Sequence, residues 1–405
     1  MKFHWFVEFT YPDLAEEAGA RDGGMWVTPP RRHCDPARVA ALYDDTLRGY
    51  RLASELGFDG LVVNEHHQYA GSVSPSPNLF AAILARETRR AAIVVLGNSL
   101  PLYNPPTRVA EELAVIDVLS NGRLVAGFVF GTPMDACFAG GVAPGELRER
   151  WAEAHRLIRA AWAADAPFAF AGAYTQLAHV NPWPRPLQQP RPPIWLPGTG
   201  SHDTWAIAAR EDYCYCYLSF GGTQKTVAFL DGYWSAVHAN GWDDNPYRFA
   251  LAQVICVSET DASAEADYAE AVEHFFGTVT AVTPMFAHVP VSDTPAPKPP
   301  ADAKPDARAD AKPEARGPLR YADYVARGQV IAGSPATVTA ALRDLASRCR
   351  IGQLIGILQV GTLSAELTEK NARLFATQVM PQLRGLHDEH EDRWTPRAIA
   401  GAPTP

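Results

Sequence analysis

Short apolar runs and longer amphipathic stretches take turns along almost the whole chain. The runs predict strands at 3–9, 60–65, 92–97, 124–130, 194–196, 213–219, 249–257 and 354–360. Between them apolar residues return every three or four positions. That spacing predicts helices at 36–56, 77–90, 106–119, 144–163, 202–210, 225–240, 262–276 and 335–348, with a last one at 365–384 after the eighth strand. Strands separated by helices run parallel, because a parallel pair needs a crossover connection. Eight such units are what a (β/α)8 barrel requires; an open doubly wound sheet alternates too, but usually with fewer strands. The pattern therefore predicts an α/β fold, a (β/α)8 TIM barrel.

Two segments break the alternation. Residues 168–193 carry Gly172 at a turn and then Asn181-Pro182-Trp183-Pro184-Arg185-Pro186, which predicts a hairpin followed by a Pro-rich crossing. Residues 290–318 repeat Ala, Asp, Lys and Pro with almost nothing apolar, and such a segment cannot bury enough surface to offset its ordering entropy. It is expected to be a disordered insertion. The chain then divides into a first part of the barrel at 1–289, the insertion at 290–318, the last part of the barrel at 319–386 and a flexible tail at 387–405.

Composition narrows the class. Of 405 residues, 47% are hydrophobic, enough for a large core, and the net charge of −9 argues against nucleic acid or an anionic membrane as a partner. No apolar run reaches the length of a membrane span, and Met1-Lys2-Phe3-His4-Trp5 leads into a strand without the features of a signal peptide. Six scattered cysteines, none in a Cys-x-x-Cys pair, fit a reducing cytoplasm.

The first candidate site is Asn64-Glu65-His66-His67, where the second predicted strand stops. The C-terminal ends of barrel strands are where such folds place their chemistry. A metal pair is disfavoured, since adjacent strand residues point to opposite faces and only one histidine looks into the mouth unless the strand has already turned. Two readings remain: a pair of hydrogen-bonded strand-end histidines, or one inward histidine acting as base, which its ordinary pKa near 6.5 suits and which is preferred.

Three loops add to it. The turn Pro197-Gly198-Thr199-Gly200-Ser201 opens a helix and fits a phosphate on backbone N–H groups; an ordinary turn capped by Ser201 fits equally well. Gly333-Ser334-Pro335 reads as a structural cap. The stretch from Asn98 to Pro106 can line a planar ligand with Asn98 and Tyr103, whereas Arg108, Glu111 and Glu112 read as a solvated or barrel-bottom ion-pair set. Phe128 and Phe130 at the end of the fourth strand, with Trp5 and Phe6, would give an apolar mouth.

With these pieces in place the chain resembles the bacterial luciferase-like monooxygenases, flavin-dependent (β/α)8 barrels. The resemblance runs from residue 3 to 384 apart from the insertion. It is carried by Glu-Leu-Gly-Phe-Asp-Gly-Leu-Val-Val-Asn-Glu-His-His ending at His67 and by Arg-Val-Ala-Glu-Glu-Leu-Ala-Val-Ile-Asp-Val-Leu-Ser-Asn-Gly-Arg-Leu at 108–124. Asn-Pro-Trp-Pro-Arg-Pro, Pro-Pro-Ile-Trp-Leu-Pro and Ile-Ala-Gly-Ser-Pro-Ala-Thr-Val also fit.

The resemblance implies that reduced FMN reacts with O2 to give a C4a-(hydro)peroxyflavin that oxygenates a small organic substrate. His66 falls at the position of the active-site base. Thr199, Gly200 and Ser201 fall at the flavin phosphate, and Asn98 and Val129 beside the cofactor. Phe6, Glu8, Tyr103, Phe128 and Phe130 are the implied substrate pocket; no metal is implied. Where many relatives have Arg, this chain has Phe130, so a phosphate-proximal cation is expected to be missing, which fits reduced flavin arriving from a separate flavin reductase. A homodimer is expected, and the flanks 275–289 and 319–330 are expected to form a lid, with Phe286, Tyr321 and Tyr324 covering the ligand. Two alternatives stay open: a deazaflavin-dependent oxidoreductase of the same fold, and a non-catalytic flavin-binding partner subunit.

Overall fold

Every one of the eight predicted strands is found, and together they close a parallel barrel. The computed structural model describes residues 1–12, 14, 24–27, 29–280 and 319–396. The predicted insertion at 290–318 and Phe286 lie outside these residues. In chain order the strands are β1 (Lys2–Val7), β2 (Gly60–Val63), β3 (Ala92–Ser99), β4 (Leu124–Val129), β5 (Phe168–Ala171), β6 (Gln176–Val180), β7 (Ile194–Gly198), β8 (Cys214–Leu218), β9 (Phe249–Val257), β10 (Val330–Gly333) and β11 (Gln353–Gln359). The barrel order is β11-β1-β2-β3-β4-β7-β8-β9, closed by β9 on β11.

The helices are α1 (Pro36–Glu55), α2 (Pro77–Glu87), α3 (Thr107–Leu119), α4 (Leu147–Ala163), α5 (His202–Arg210), α6 (Thr223–Ala239), α7 (Asp261–His274), α8 (Tyr321–Ala326), α9 (Pro335–Cys349), α10 (Ala365–Leu374) and α11 (Met380–Leu383). Several begin as the sequence signals dictate. Asp35 caps α1 by accepting from Ala37 N at 2.9 Å, with Pro36 as the first helical residue. Ser334 caps α9 in the same way, ahead of Pro335, so that turn is structural.

Strand alternation divides the core in two. One set, including Trp5, Leu61, Val95, Phe128 and Leu251, packs between the barrel wall and the helices. The other, including Phe6, Val62, Val94, Trp195, Ala252 and Ile357, fills the barrel interior. Trp5 and Phe128 are thus corrected. Phe128 is fully buried against His155 and Trp162 on α4, on the helix side of the wall and away from the mouth.

β10 is an addition to the predicted strands. β9 is long: β8 pairs with its first half, Phe249–Ala252, and β10 with its last residues, Val254–Val257. The predicted hairpin at Gly172 is β5 with β6, antiparallel. Its turn is held by the buried carboxylate of Glu153, which accepts from the backbone N–H groups of Ala173 (2.6 Å), Tyr174 (3.0 Å) and Thr175 (2.7 Å).

The expected flexible tail is corrected over its first part. Trp394 is buried beneath the barrel; its carbonyl accepts from Trp195 Nε1 at 2.7 Å, and its own Nε1 donates to Asp212 O at 3.1 Å. A single large aromatic in an otherwise charged stretch is enough to dock it. Among the described residues, no helix is long and apolar enough to cross a membrane.

Candidate active site

β2 stops at Val63, two residues short of its predicted end. Asn64 O accepts from the Ser74 hydroxyl at 2.9 Å, His66 N donates to Ser74 O at 3.1 Å, and Gln68 takes a positive φ of 49°. The strand has therefore turned before the histidines, and strand parity does not decide where they point. His66 lies against Trp26 and Tyr69, at 5.1 and 5.5 Å between ring centroids. His67 Nε2 is 3.0 Å from Glu65 Oε1.

Asp135 completes the histidine site, and the sequence reading missed it. It follows β4 in a π-helical turn, Pro133–Ala139, capped by Thr132. Its Oδ2 lies 3.0 Å from His66 Nδ1 and accepts from the Thr132 hydroxyl at 2.7 Å, while Oδ1 accepts from His67 N at 2.7 Å. The signal was present: Thr132-Pro133-Met134-Asp135 has the spacing of a capping box. Burial opposes the His66 cation, but the hydrogen bond and charge of Asp135, with Glu8 and Glu65 nearby, outweigh it and raise the pKa. The His67 pKa is raised mainly by its bond to Glu65.

Glu65 gathers the next group. Its Oε2 accepts from Tyr103 OH at 2.7 Å, Asn98 Nδ2 at 3.2 Å and Ser99 N at 3.3 Å. Asn98 reaches it through an irregularity in β3, whose register on β4 shifts between Val95 and Asn98. Gly97 and Gly127 face each other there so closely that a Cβ on either would meet the other strand's backbone. The Asn98 side chain is fully buried, yet its Oδ1 has no hydrogen-bond partner among the described residues. Glu8 continues the inward face of β1 beyond Phe6 and accepts from Asn64 Nδ2 at 2.7 Å; burial pushes its carboxyl pKa up.

The turn after β7 forms the third group. Gly200 adopts a φ of 112°, in the region that favours glycine, and its N–H meets Tyr215 OH at 3.3 Å. Ser201 stands at the N-cap position of α5 but makes no capping bond; its hydroxyl accepts from Arg148 Nη2 at 3.0 Å. Arg148 lies over the Phe130 ring, 5.2 Å from its centroid, and Phe130 stacks on Trp151 at 4.5 Å. Phe130 is thus a platform for Arg148, whose guanidinium stands beside the turn and lies 3.5 Å from Asp203 Oδ2. Phe130 packs toward α4 through Trp151 and is half-buried.

The structure thus brings His66, Glu8, Asn98 and Tyr103 together through Asn64, Glu65 and Asp135. Phe6 belongs to the interior cluster with Trp26 and Tyr69, and Val129 is half-buried at the end of β4. Of the expected lid residues, Tyr321 and Tyr324 are buried and Tyr324 stacks on Phe276 at 4.8 Å. Arg108 pairs with Glu112 on the surface, as expected. Among the described residues, no group of three or more His, Cys, Asp or Glu side chains is arranged to hold a metal.

Fold and site together define a (β/α)8 barrel with a cluster of buried polar residues at its C-terminal mouth. The chain belongs to the luciferase-like monooxygenase family, whose model matches residues 24–349. It is 26% identical over 287 residues to limonene 1,2-monooxygenase of Rhodococcus erythropolis, covering 69% of this chain and 72% of that one. It is 30% identical over 175 residues to the oxygenase component of the flavin-dependent trigonelline monooxygenase of Acinetobacter baylyi. That match covers 41% of this chain and about half of the relative, 46%. Among solved structures, the oxygenating constituent of 3,6-diketocamphane monooxygenase from Pseudomonas putida, a type II Baeyer–Villiger enzyme in complex with FMN, superposes with a TM-score of 0.63. The likeness, at 16% identity, covers 94% of this chain and 97% of that one.

Proposed function

We propose that this protein is the oxygenase component of a two-component flavin monooxygenase, with His66 as its base. The observation that carries the reading is the His66–Asp135 pair at the barrel mouth, whose geometry leaves Nε2 of His66 as the ring nitrogen not bound to Asp135. The residues fit reduced FMN. The N-terminus of α5 at the Gly200 turn and Arg148, which bonds the Ser201 hydroxyl and lies 3.5 Å from Asp203 Oδ2, offer a dipole and a cation to its phosphate. The orphaned Asn98 Oδ1 offers an acceptor to a ring N–H. Reduced FMN, when bound, supplies the electrons with which O2 delivers one oxygen atom to the substrate and the other to water.

The chain's own residues do the rest. Asp135 holds the His66 ring in one orientation, and Nε2 takes or returns the proton that the reaction moves. Phe6, Trp26 and Tyr69 beside the pair keep water out, and Glu65 fixes Asn98 and Tyr103. The substrate is a small organic molecule. A separate flavin reductase supplies the reduced cofactor, in line with a relative described as an oxygenase component. The homodimer is supported by Leu79 (67% exposed) and Ile83 on α2 with Val115 and Val118 on α3, an apolar strip on adjacent helices.

The test is to mix the protein and reduced FMN, prepared without oxygen, with aerated buffer and follow the flavin absorbance. Return of the oxidised spectrum should be much slower than for free reduced FMN, and faster again in His66→Ala. Reoxidation at the free-flavin rate would overturn the reading.

A further inference from the structure

Three carboxyl groups stand at the barrel mouth, and only two of them have a cation. Asp135 is paired with His66 at 3.0 Å and Glu65 with His67 at 3.0 Å. Glu8 is the third. The register of β1 on β2 sets Phe6 opposite Val62, which puts Glu8 level with Asn64 and its amide. That amide is neutral: Asn64 Nδ2 donates to Glu8 Oε2 at 2.7 Å.

The surroundings of Glu8 disfavour a negative charge. The groups acting on its carboxyl are His66, Asn64, Ser72 and Asp135, and the Tyr50 and Tyr69 hydroxyls lie within its field. Among these described residues there is no Lys or Arg. The one cation, His66, already belongs to Asp135, whose own charge repels a second carboxylate. Burial acts in the same direction and outweighs His66 and the hydrogen bonds, so the carboxyl holds its proton more tightly than usual. With Oε2 accepting from Asn64, the proton belongs on Oε1.

Glu8 also keeps surface open to a ligand. It is half-buried and the His66 side chain is 20% exposed, whereas Asn64 and Glu65 are each 5% exposed. The mouth therefore presents an acid on β1 and a base after β2, held in different protonation states by different neighbours.

We propose that Glu8 binds the substrate as a neutral carboxyl group, donating a hydrogen bond to its oxygen, and that the substrates are uncharged carbonyl compounds. The proposal rests on the mouth being the active site, as read above, and adds the substrate class to it. A hydroxyl can donate to an ionised Glu8, but a carbonyl only accepts, so it is the oxygen for which the retained proton matters. An anionic substrate would meet the charges of Glu65 and Asp135.

The test is calorimetric titration of the full chain with cyclohexanone, 2-decanone and cyclohexylamine, with and without oxidised FMN. Saturable binding of at least one ketone is expected, weakening as pH rises and Glu8 loses its proton. Glu8→Leu, which cannot donate, should weaken it about tenfold. Glu8→Gln, whose amide still donates, should keep the affinity and lose the pH dependence. Absence of ketone binding, unchanged affinity in Glu8→Leu, or tighter binding of the cationic amine would overturn the proposal. Should Glu8→Leu fail to fold, Glu8→Gln decides, and a pH dependence like that of the wild type would count against Glu8. The flavin reading stands or falls separately, on the reoxidation rate.

Discussion

Asp135 Oδ2 lies 3.0 Å from His66 Nδ1, with the Thr132 hydroxyl on the same oxygen. A carboxylate in that position keeps the proton on Nδ1 and turns Nε2 into the reactive nitrogen. It also raises the His66 pKa above 6.5 against the cost of burial. A base must be neutral, so activity should fall as pH drops through this raised value. In Asp135→Asn the pKa comes down, and the acid limb of kcat/KM should move to lower pH while kcat falls; an unmoved limb would contradict the pairing. The sign for stability is opposite. The raised pKa stabilises the fold fully below the unfolded value of about 6.5, and the contribution fades as pH rises through the folded value.

In the proposed reading His66, and not His67, carries the proton transfer. His66→Ala should lower turnover by about 10²–10⁴ with the fold intact, the range for a lost general base. His67→Ala removes only a bond to Glu65 and should be milder, because Tyr103 and Asn98 still hold that carboxylate. Steady-state rates of both variants, with circular dichroism as the check on folding, distinguish them; a reversed order would move the base to His67.

The phosphate assignment rests on Gly200 and Arg148. Gly200→Asp introduces a negative charge and an unfavourable φ at once, and Arg148→Ala removes the cation beside Ser201. Each should weaken reduced FMN binding by about tenfold or more, as expected for a lost charge-assisted bond. An anaerobic flavin titration measures this directly, and unchanged affinity in both variants would remove the phosphate from this turn.

Leu79→Glu places a charge in the apolar strip on α2 and should shift the protein from dimer to monomer on gel filtration, without loss of secondary structure.

Trp394→Ala should cost about 3–5 kcal/mol in denaturant unfolding, the usual loss for a buried Trp, since it empties the floor of the barrel and removes the indole N–H that donates to Asp212 O.

The barrel was readable because each of its strands is buried on both faces and stands out as an apolar run. That property also hides orientation. In Leu124–Val129 every second residue looks inward but none is charged, so Phe128 could not be told from Val129; in Lys2–Val7 only the polar His4, two residues before Phe6 on the same face, distinguishes Phe6 from Trp5. His66, Glu8, Asn98 and Tyr103 were readable as polar residues at strand ends. What joins them was not. Asp135 and Arg148 meet His66 and Ser201 across loops distant in sequence, and no local pattern carries a contact between them. The docked tail was missed for a similar reason: one tryptophan outweighs the charged residues around it.

The two ends of the stretch between 280 and 319 are fastened to each other as well as to the barrel. The Glu273 carboxylate accepts from Tyr321 N at 2.9 Å and pairs with Arg320 at 3.1 Å, and the Phe276 and Tyr324 rings stack just above. A connection clasped at its base returns the chain to the same place whatever its length. The clasp therefore marks a point where chain can be gained, lost or replaced without disturbing the register of β9 and β10, a natural port for variation in an otherwise closed architecture.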